Sequence, residues 1–231
     1  MTTTDSDWRA IAANGQSLYD RPNIFVGGPS GSGKSTSIRN LDPNATIIIN
    51  TERKALPFKS AAQFTKQVQP ANYLQFETAY QRALNSDAVV IVVDSFTSLT
   101  EQVYSHIIRY EQEDTRAAWG RYKDTLHDVL IQAKRPDKTV IFLGVEALMQ
   151  DDQMRLVKTI DVQGSLKGKV EKEFEIVLWA QPQGDGIYRF LTNSDGRCTA
   201  KSPMGMFDQA LIDNDLNAVL TAIHIYYTAS N

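Results

Sequence analysis

Residues Gly28 to Ser35 read Gly-Pro-Ser-Gly-Ser-Gly-Lys-Ser and match G-x-x-x-x-G-K-[ST] at every fixed position. The chemistry this spacing can do is to grip a polyphosphate. Gly28, Gly31 and Gly33 let the backbone take positive φ and approach an anion closely. The N–H groups of such a turn form a concave nest around phosphate oxygens. Lys34 brings a point charge to the β/γ oxygens, and the Ser35 hydroxyl can sit on Mg²⁺. The segment expected to bind nucleotide is therefore Gly28, Pro29, Ser30, Gly31, Ser32, Gly33, Lys34, Ser35 and Thr36. A helix opening over residues 35–40 would add its positive end.

Two carboxylates complete the chemistry. Asp94 closes the apolar run Ala-Val-Val-Ile-Val-Val-Asp at residues 88–94. At that strand end it can hold Mg²⁺ together with Ser35, in the Walker-B manner. Its structural alternative is a helix cap, since Asp94, Ser95 and Thr97 all suit one. Ser95, not Glu, follows Asp94, so a carboxylate that polarises attacking water must come from another strand end. Glu52 is the candidate, following Ile49-Asn50-Thr51; its alternative is a surface Glu beside Arg53 and Lys54. Lys34 and Glu52 are the residues expected to carry catalysis.

These residues need a sheet that brings strand ends to one edge. Residues 23–27, 45–50, 88–94, 139–145 and 174–180 read as strands, the second and third apolar on both faces. Such runs indicate a parallel sheet covered by helices on both sides. Residues 186–192 read as a further strand, in a hairpin through Gly184-Asp185-Gly186. Residues 97–134 read as two helices broken near Glu113-Asp114, and 215–226 as a closing helix with Leu216, Val219, Leu220 and Ile223 on one face. The fold expected is α/β, a doubly wound, mostly parallel sheet in a single domain. Residues 1–20 are an N-terminal extension and 211–231 carry the closing helix.

Composition narrows the classes. The 231 residues are 42% hydrophobic and 22% charged, ordinary for a globular chain. A net charge of −3 excludes a strongly basic nucleic-acid binder but leaves room for a local basic patch. The single cysteine, Cys198, fits a reducing compartment, and the polar N-terminus lacks a signal-peptide pattern, so a cytoplasmic location is expected. No apolar run approaches a membrane span. His106, His127 and His224 lie far apart and suggest no zinc site.

The phosphate loop, strand-end Glu52 and the Val-Val-Asp-Ser-Phe strand together resemble the RecA-like (ASCE) P-loop ATPases. The layout is most similar to bacteriophage nucleotide-binding proteins of minimal RecA-core type, several of them single-strand annealing or recombination ATPases. Trp119-Gly120-Arg121, Gly168-Lys169 and Lys201 fit the same pattern, which covers roughly residues 20–210. The resemblance implies ATP and Mg²⁺ as cofactors, single-stranded DNA as partner, a ring or filament of like subunits, and the host cytoplasm if the chain is phage-encoded. It also implies DNA-facing loops after the strand 139–145, where Arg155, Lys158, Lys167 and Lys169 are candidate contacts. The same stretch carries Asp151, Asp152, Asp161, Glu171 and Glu173, so a solvated charged surface is the alternative. Lys201 or Arg197 is a candidate cation for a neighbour's nucleotide. One departure stands out: Gly144-Val145-Glu146 occupies the place of the family's polar sensor, and Val145 cannot hydrogen-bond a phosphate. Either Glu146 takes over water or metal contacts there, or the sensor is absent.

Two other functions share these motifs. A nucleotide-gated binding module would bind ATP with little turnover. A small-acceptor phosphotransferase would need an Arg-rich lid, and the arginines here are scattered. No Asn-Lys-x-Asp guanine-reading motif occurs.

Overall fold

The computed structural model describes residues 21–110 and 115–228. In chain order the strands are β1 (Ile24–Gly28), β2 (Thr46–Asn50), β3 (Gln67–Val68), β4 (Val90–Asp94), β5 (Thr139–Gln150), β6 (Leu156–Ile160), β7 (Ile176–Pro182), β8 (Tyr188–Leu191) and β9 (Leu211–Asp213). The helices are α1 (Tyr73–Leu84), α2 (Phe96–Tyr110), α3 (Thr115–Gln132) and α4 (Leu216–Thr228). The break expected near Glu113-Asp114 and the extension 1–20 lie outside the described residues.

Among the described residues the sheet has nine strands in the order β3-β2-β4-β5-β1-β7-β8-β9, with β6 paired to β5. The strands from β3 to β7 run parallel; β8 and β9 add antiparallel pairs at one edge. This is the doubly wound α/β fold expected. Period-2 side chains feed two cores. Phe25, Ile49, Val93 and Phe142 point into the core that α1, α2 and α3 cover. Ile24, Val26, Ile48, Val92 and Ile141 point into the other, closed by residues 35–41 and by Leu216, Val219 and Ile223 of α4. Each fully buried Ile, Leu or Phe contributes roughly 1.5–3 kcal/mol of burial free energy, which fixes the register against a one-residue slip.

The helices follow from local signals. Asn72 accepts a hydrogen bond from the Gln75 N–H at 3.1 Å and caps α1, which buries Phe76, Tyr80, Ala83 and Leu84 at helical spacing. Leu99, Val103 and Ile107 are the buried stripe of α2. No described helix is long and apolar enough to cross a membrane.

Residues 35–40 form the helix expected there, as a six-residue 3-10 helix. Ser37 Oγ donates to the Lys34 carbonyl at 2.5 Å, an alternative partner for that backbone group. Leu41 is already extended ahead of Asp42-Pro43, where the chain cannot stay helical. Residues 146–160, read as a loop, extend β5 and fold back as β6 in a hairpin. The Asp151 carboxylate closes its turn by accepting from the Gln153 and Arg155 N–H groups, both at 2.9 Å.

Candidate active site

The parallel register delivers the chemistry to one edge. Gly28 of β1 lies opposite Val145 of β5, Leu143 opposite Asp94 of β4, and Asp94 opposite Asn50 of β2. The phosphate loop, Asp94 and Glu52 thus leave neighbouring strands at their carboxyl ends, where α/β sheets bind ligands, while Glu146 lies within β5, one residue past Val145, the partner of Gly28. β5 lies between the strand that enters the loop and the strand that ends in Asp94.

The loop is built around absent side chains. Gly28, Gly31 and Gly33 take φ of 154°, 77° and 86°. A Cβ on Gly33 would stand 2.7 Å from the Tyr188 ring, and one on Gly28 would stand 2.6 Å from the Ala180 carbonyl oxygen. Strands β7 and β8 therefore buttress the loop from one side. Lys34 folds over it, its Nζ donating to the Gly28 and Pro29 carbonyls at 2.8 Å each. Burial pushes the Lys34 ammonium below its ordinary pKa, against the opposing pull of Asp94, Glu52 and Glu146. The short 3-10 helix gives little macrodipole, so anion binding here rests on the loop N–H groups and Lys34.

Asp94 is only 7% exposed, and burial pushes its carboxyl up to about 6 although Ser35 hydrogen-bonds it. Its carbonyl accepts from the Thr51 and Glu52 N–H groups at 2.7 and 3.3 Å. Thr51 Oγ1 donates to the Ser95 carbonyl at 2.7 Å and accepts from the Ser95 N–H at 2.8 Å. Asn50 closes the turn that follows β2: its side chain donates to the Lys54 carbonyl at 2.6 Å and accepts from the Arg53 N–H at 2.8 Å. That turn sets Glu52 beside Asp94. Burial raises the Glu52 carboxyl, but hydrogen bonds from Lys54 and Ser95 and the charges of Lys54 and Lys34 outweigh it and hold Glu52 below its ordinary pKa. Glu52 Oε2 lies 2.8 Å from Lys54 Nζ. The two carboxyls are thus tuned apart, Glu52 downward and Asp94 upward.

The residues fit a polyphosphate with a divalent cation. The buried Ser32 hydroxyl has no hydrogen-bond partner inside the loop. Asp94 and Ser35 are a hard oxygen pair in contact, and the buried Asp94 charge lacks a full counter-ion. Glu52 is ionised at neutral pH and can accept a hydrogen bond from water.

The other candidates scatter. Glu146 acts on Lys34 and is ion-paired to Lys158 of β6 at 3.2 Å. Arg155 pairs with Asp151 at 2.7 Å in the hairpin turn. Lys167 and Lys169 are exposed on the segment leading from β6 to β7. Lys201 pairs through its backbone with Val177, whose partner in β1 is Phe25, three residues ahead of Gly28. Burial lowers the Lys201 pKa, opposed by Glu175, Glu171 and Glu173. Arg197 is exposed, and its carbonyl accepts from the Lys158 N–H at 2.8 Å. Sequence reasoning missed Thr51, Asn50 and Tyr188. A polar pair flanking a strand-end Glu was the only signal for the first two, and nothing in the residue order marks Tyr188.

No curated protein matches the chain. A family model described as an AAA domain, AAA_24, matches residues 20–203, which span the phosphate loop, Glu52, Asp94 and the hairpin. The chain belongs to this AAA domain family, a family of nucleotide-binding, ATPase-type P-loop domains.

Proposed function

We propose that the chain is a Mg²⁺-dependent, RecA-like ATPase whose turnover is coupled to single-stranded DNA in phage-type recombination or annealing, working as a ring or filament. The observation that carries the hydrolytic part is the convergence of Lys34, Ser35, Asp94 and an anionic Glu52 at one sheet edge. Lys34 leaves the Gly28 and Pro29 carbonyls for the β/γ oxygens of ATP, while the loop N–H groups hold the phosphates. Ser35 and Asp94 would hold Mg²⁺, which would supply counter-charge to the phosphates. Glu52 orients water in line with the γ-phosphorus and takes its proton as the new P–O bond forms and the bond to ADP breaks. Lys54, Ser95 and the Thr51 clamp hold Glu52 in place.

The coupling rests on the chain Lys34, Glu146, Lys158. Glu146 stands where a polar sensor is expected, feels Lys34 on one side and binds Lys158 of the hairpin on the other. A phosphate backbone that draws Lys158 away changes the field at Lys34. Arg155 in the hairpin turn and Lys167 and Lys169 on the segment after β6 are further candidate backbone contacts. Arg197 or Lys201 serves as the cation offered to a neighbouring subunit, Arg197 being the more accessible.

Phosphate release by Glu52→Gln and Lys34→Ala tests this reading. Loss of general-base assistance should slow Glu52→Gln by about 10²–10⁴-fold with ATP still bound, and Lys34→Ala should lose nucleotide affinity. Turnover of Glu52→Gln at the wild-type rate would remove Glu52 from the mechanism. A phosphorylated acceptor in place of free phosphate would make the protein a phosphotransferase.

A further inference from the structure

A second basic site lies away from the sheet edge, in the seam between α3 and residues 163–173. Gly164 packs on the Trp119 ring, so this segment runs down the side of α3. The seam opens into a cavity of about 120 Å³. Lys123 and His127, one helical turn apart on α3, line one wall; Lys169 and Lys172 line the other. The floor is apolar, made by the buried side chains of Leu126 and Val170. Glu173 is the one carboxylate in the lining, and it is already engaged by Lys134 at 3.0 Å and Lys172 at 3.7 Å. The seam is therefore locally cationic on a chain of net charge −3.

We propose that this seam binds phosphate groups of a single-stranded polynucleotide, as a second contact that takes no part in hydrolysis. The inference rests on the single-stranded DNA reading above and adds Lys123, His127 and Lys172 to the surface. The cavity holds about four waters at roughly 30 Å³ each, room for a phosphate but not for a base. His127 carries the one aromatic ring in the lining and no Phe, Tyr or Trp offers a stacking platform, so the contact reads the backbone and not the sequence. An apolar floor lowers the local dielectric and strengthens the pull of the lysines on a compact anion. Residues 161–169 connect the base of the hairpin to the seam, so one strand can follow both.

The test is the salt dependence of binding between the full chain and a labelled oligothymidylate. Lys123→Gln/Lys172→Gln removes two exposed charges outside the nucleotide site, so phosphate release without DNA should match wild type. A Lys59→Gln/Lys66→Gln variant, on a different surface, matches the change in net charge. Each phosphate contact to a single strand contributes about 0.7 to the slope of log K against log salt, so the seam variant, losing one seated phosphate, should be shallower by about 0.7 and bind severalfold more weakly at low salt. The Lys59/Lys66 variant should keep the wild-type slope. An unchanged slope in the seam variant, or an equal loss in both variants, overturns the seam while leaving the DNA reading intact. No salt-dependent binding by wild type overturns both. Displacement of the oligonucleotide by poly-glutamate at equal charge would make the partner an acidic protein and overturn the assignment.

Discussion

The Asp94 carboxyl shows how burial tunes a single residue. Burial lifts it from 3.8 to about 6, so the folded chain holds this proton more tightly than the unfolded chain does. Stability therefore falls as pH rises from about 4 to about 6, and stays lower above that range. Without nucleotide or Mg²⁺, Asp94→Asn should remove this pH dependence and be more stable than wild type at pH 7, by on the order of 1–3 kcal/mol. At pH 4 the two should be close. Thermal melts in a chelating buffer at both pH values check this; a variant less stable at pH 7 than at pH 4, relative to wild type, would contradict it. Nucleotide-dependent stabilisation should be weakened in the variant, because the site loses a hard oxygen ligand. Glu52 works the other way: its partners keep it charged, so its role does not depend on pH near neutrality.

At the scale of elements, the β5–β6 hairpin is the part that sequence order conveyed least. Glu-Ala-Leu-Met-Gln at 146–150 is made of helix formers, and Arg155 to Lys172 alternates charge without a clean period. Tertiary pairing with β6 overrides that preference. The two-residue β3 and the three-residue β9 are edge strands too short to carry a pattern. The polar stretch before α1 likewise hid a helix that Asn72 caps well. By contrast β2 and β4 were legible because burial on both faces forces uninterrupted Ile and Val. The hairpin makes a prediction of its own. Glu146→Gln breaks the charge link between Lys34 and Lys158, so stimulation by single-stranded DNA should fall about fivefold or more, the lower end of ordinary couplings. Phosphate release measured with and without the oligonucleotide checks it. Retained stimulation would locate the coupling elsewhere.

Across the whole molecule, the fold and the phosphate loop were legible because each rests on local signals. Gly28 to Ser35 is contiguous, and the parallel strands announce themselves by composition. What holds Glu52 over Asp94 was not legible, because Thr51 meets Ser95 across 44 residues of sequence and Lys34 feels Glu146 only after β5 inserts between β1 and β4. The same insertion makes the β5–β6 hairpin continuous with the sheet that carries the phosphate loop and Asp94. The most direct test of that arrangement is steady-state phosphate release from ATP by the full chain at low salt, with and without single-stranded DNA. Turnover that requires Mg²⁺ and rises several-fold with DNA is the expected result, within the range of about 5- to 150-fold for ordinary couplings. Turnover indifferent to DNA, or tight ATP binding with no phosphate release, would contradict it.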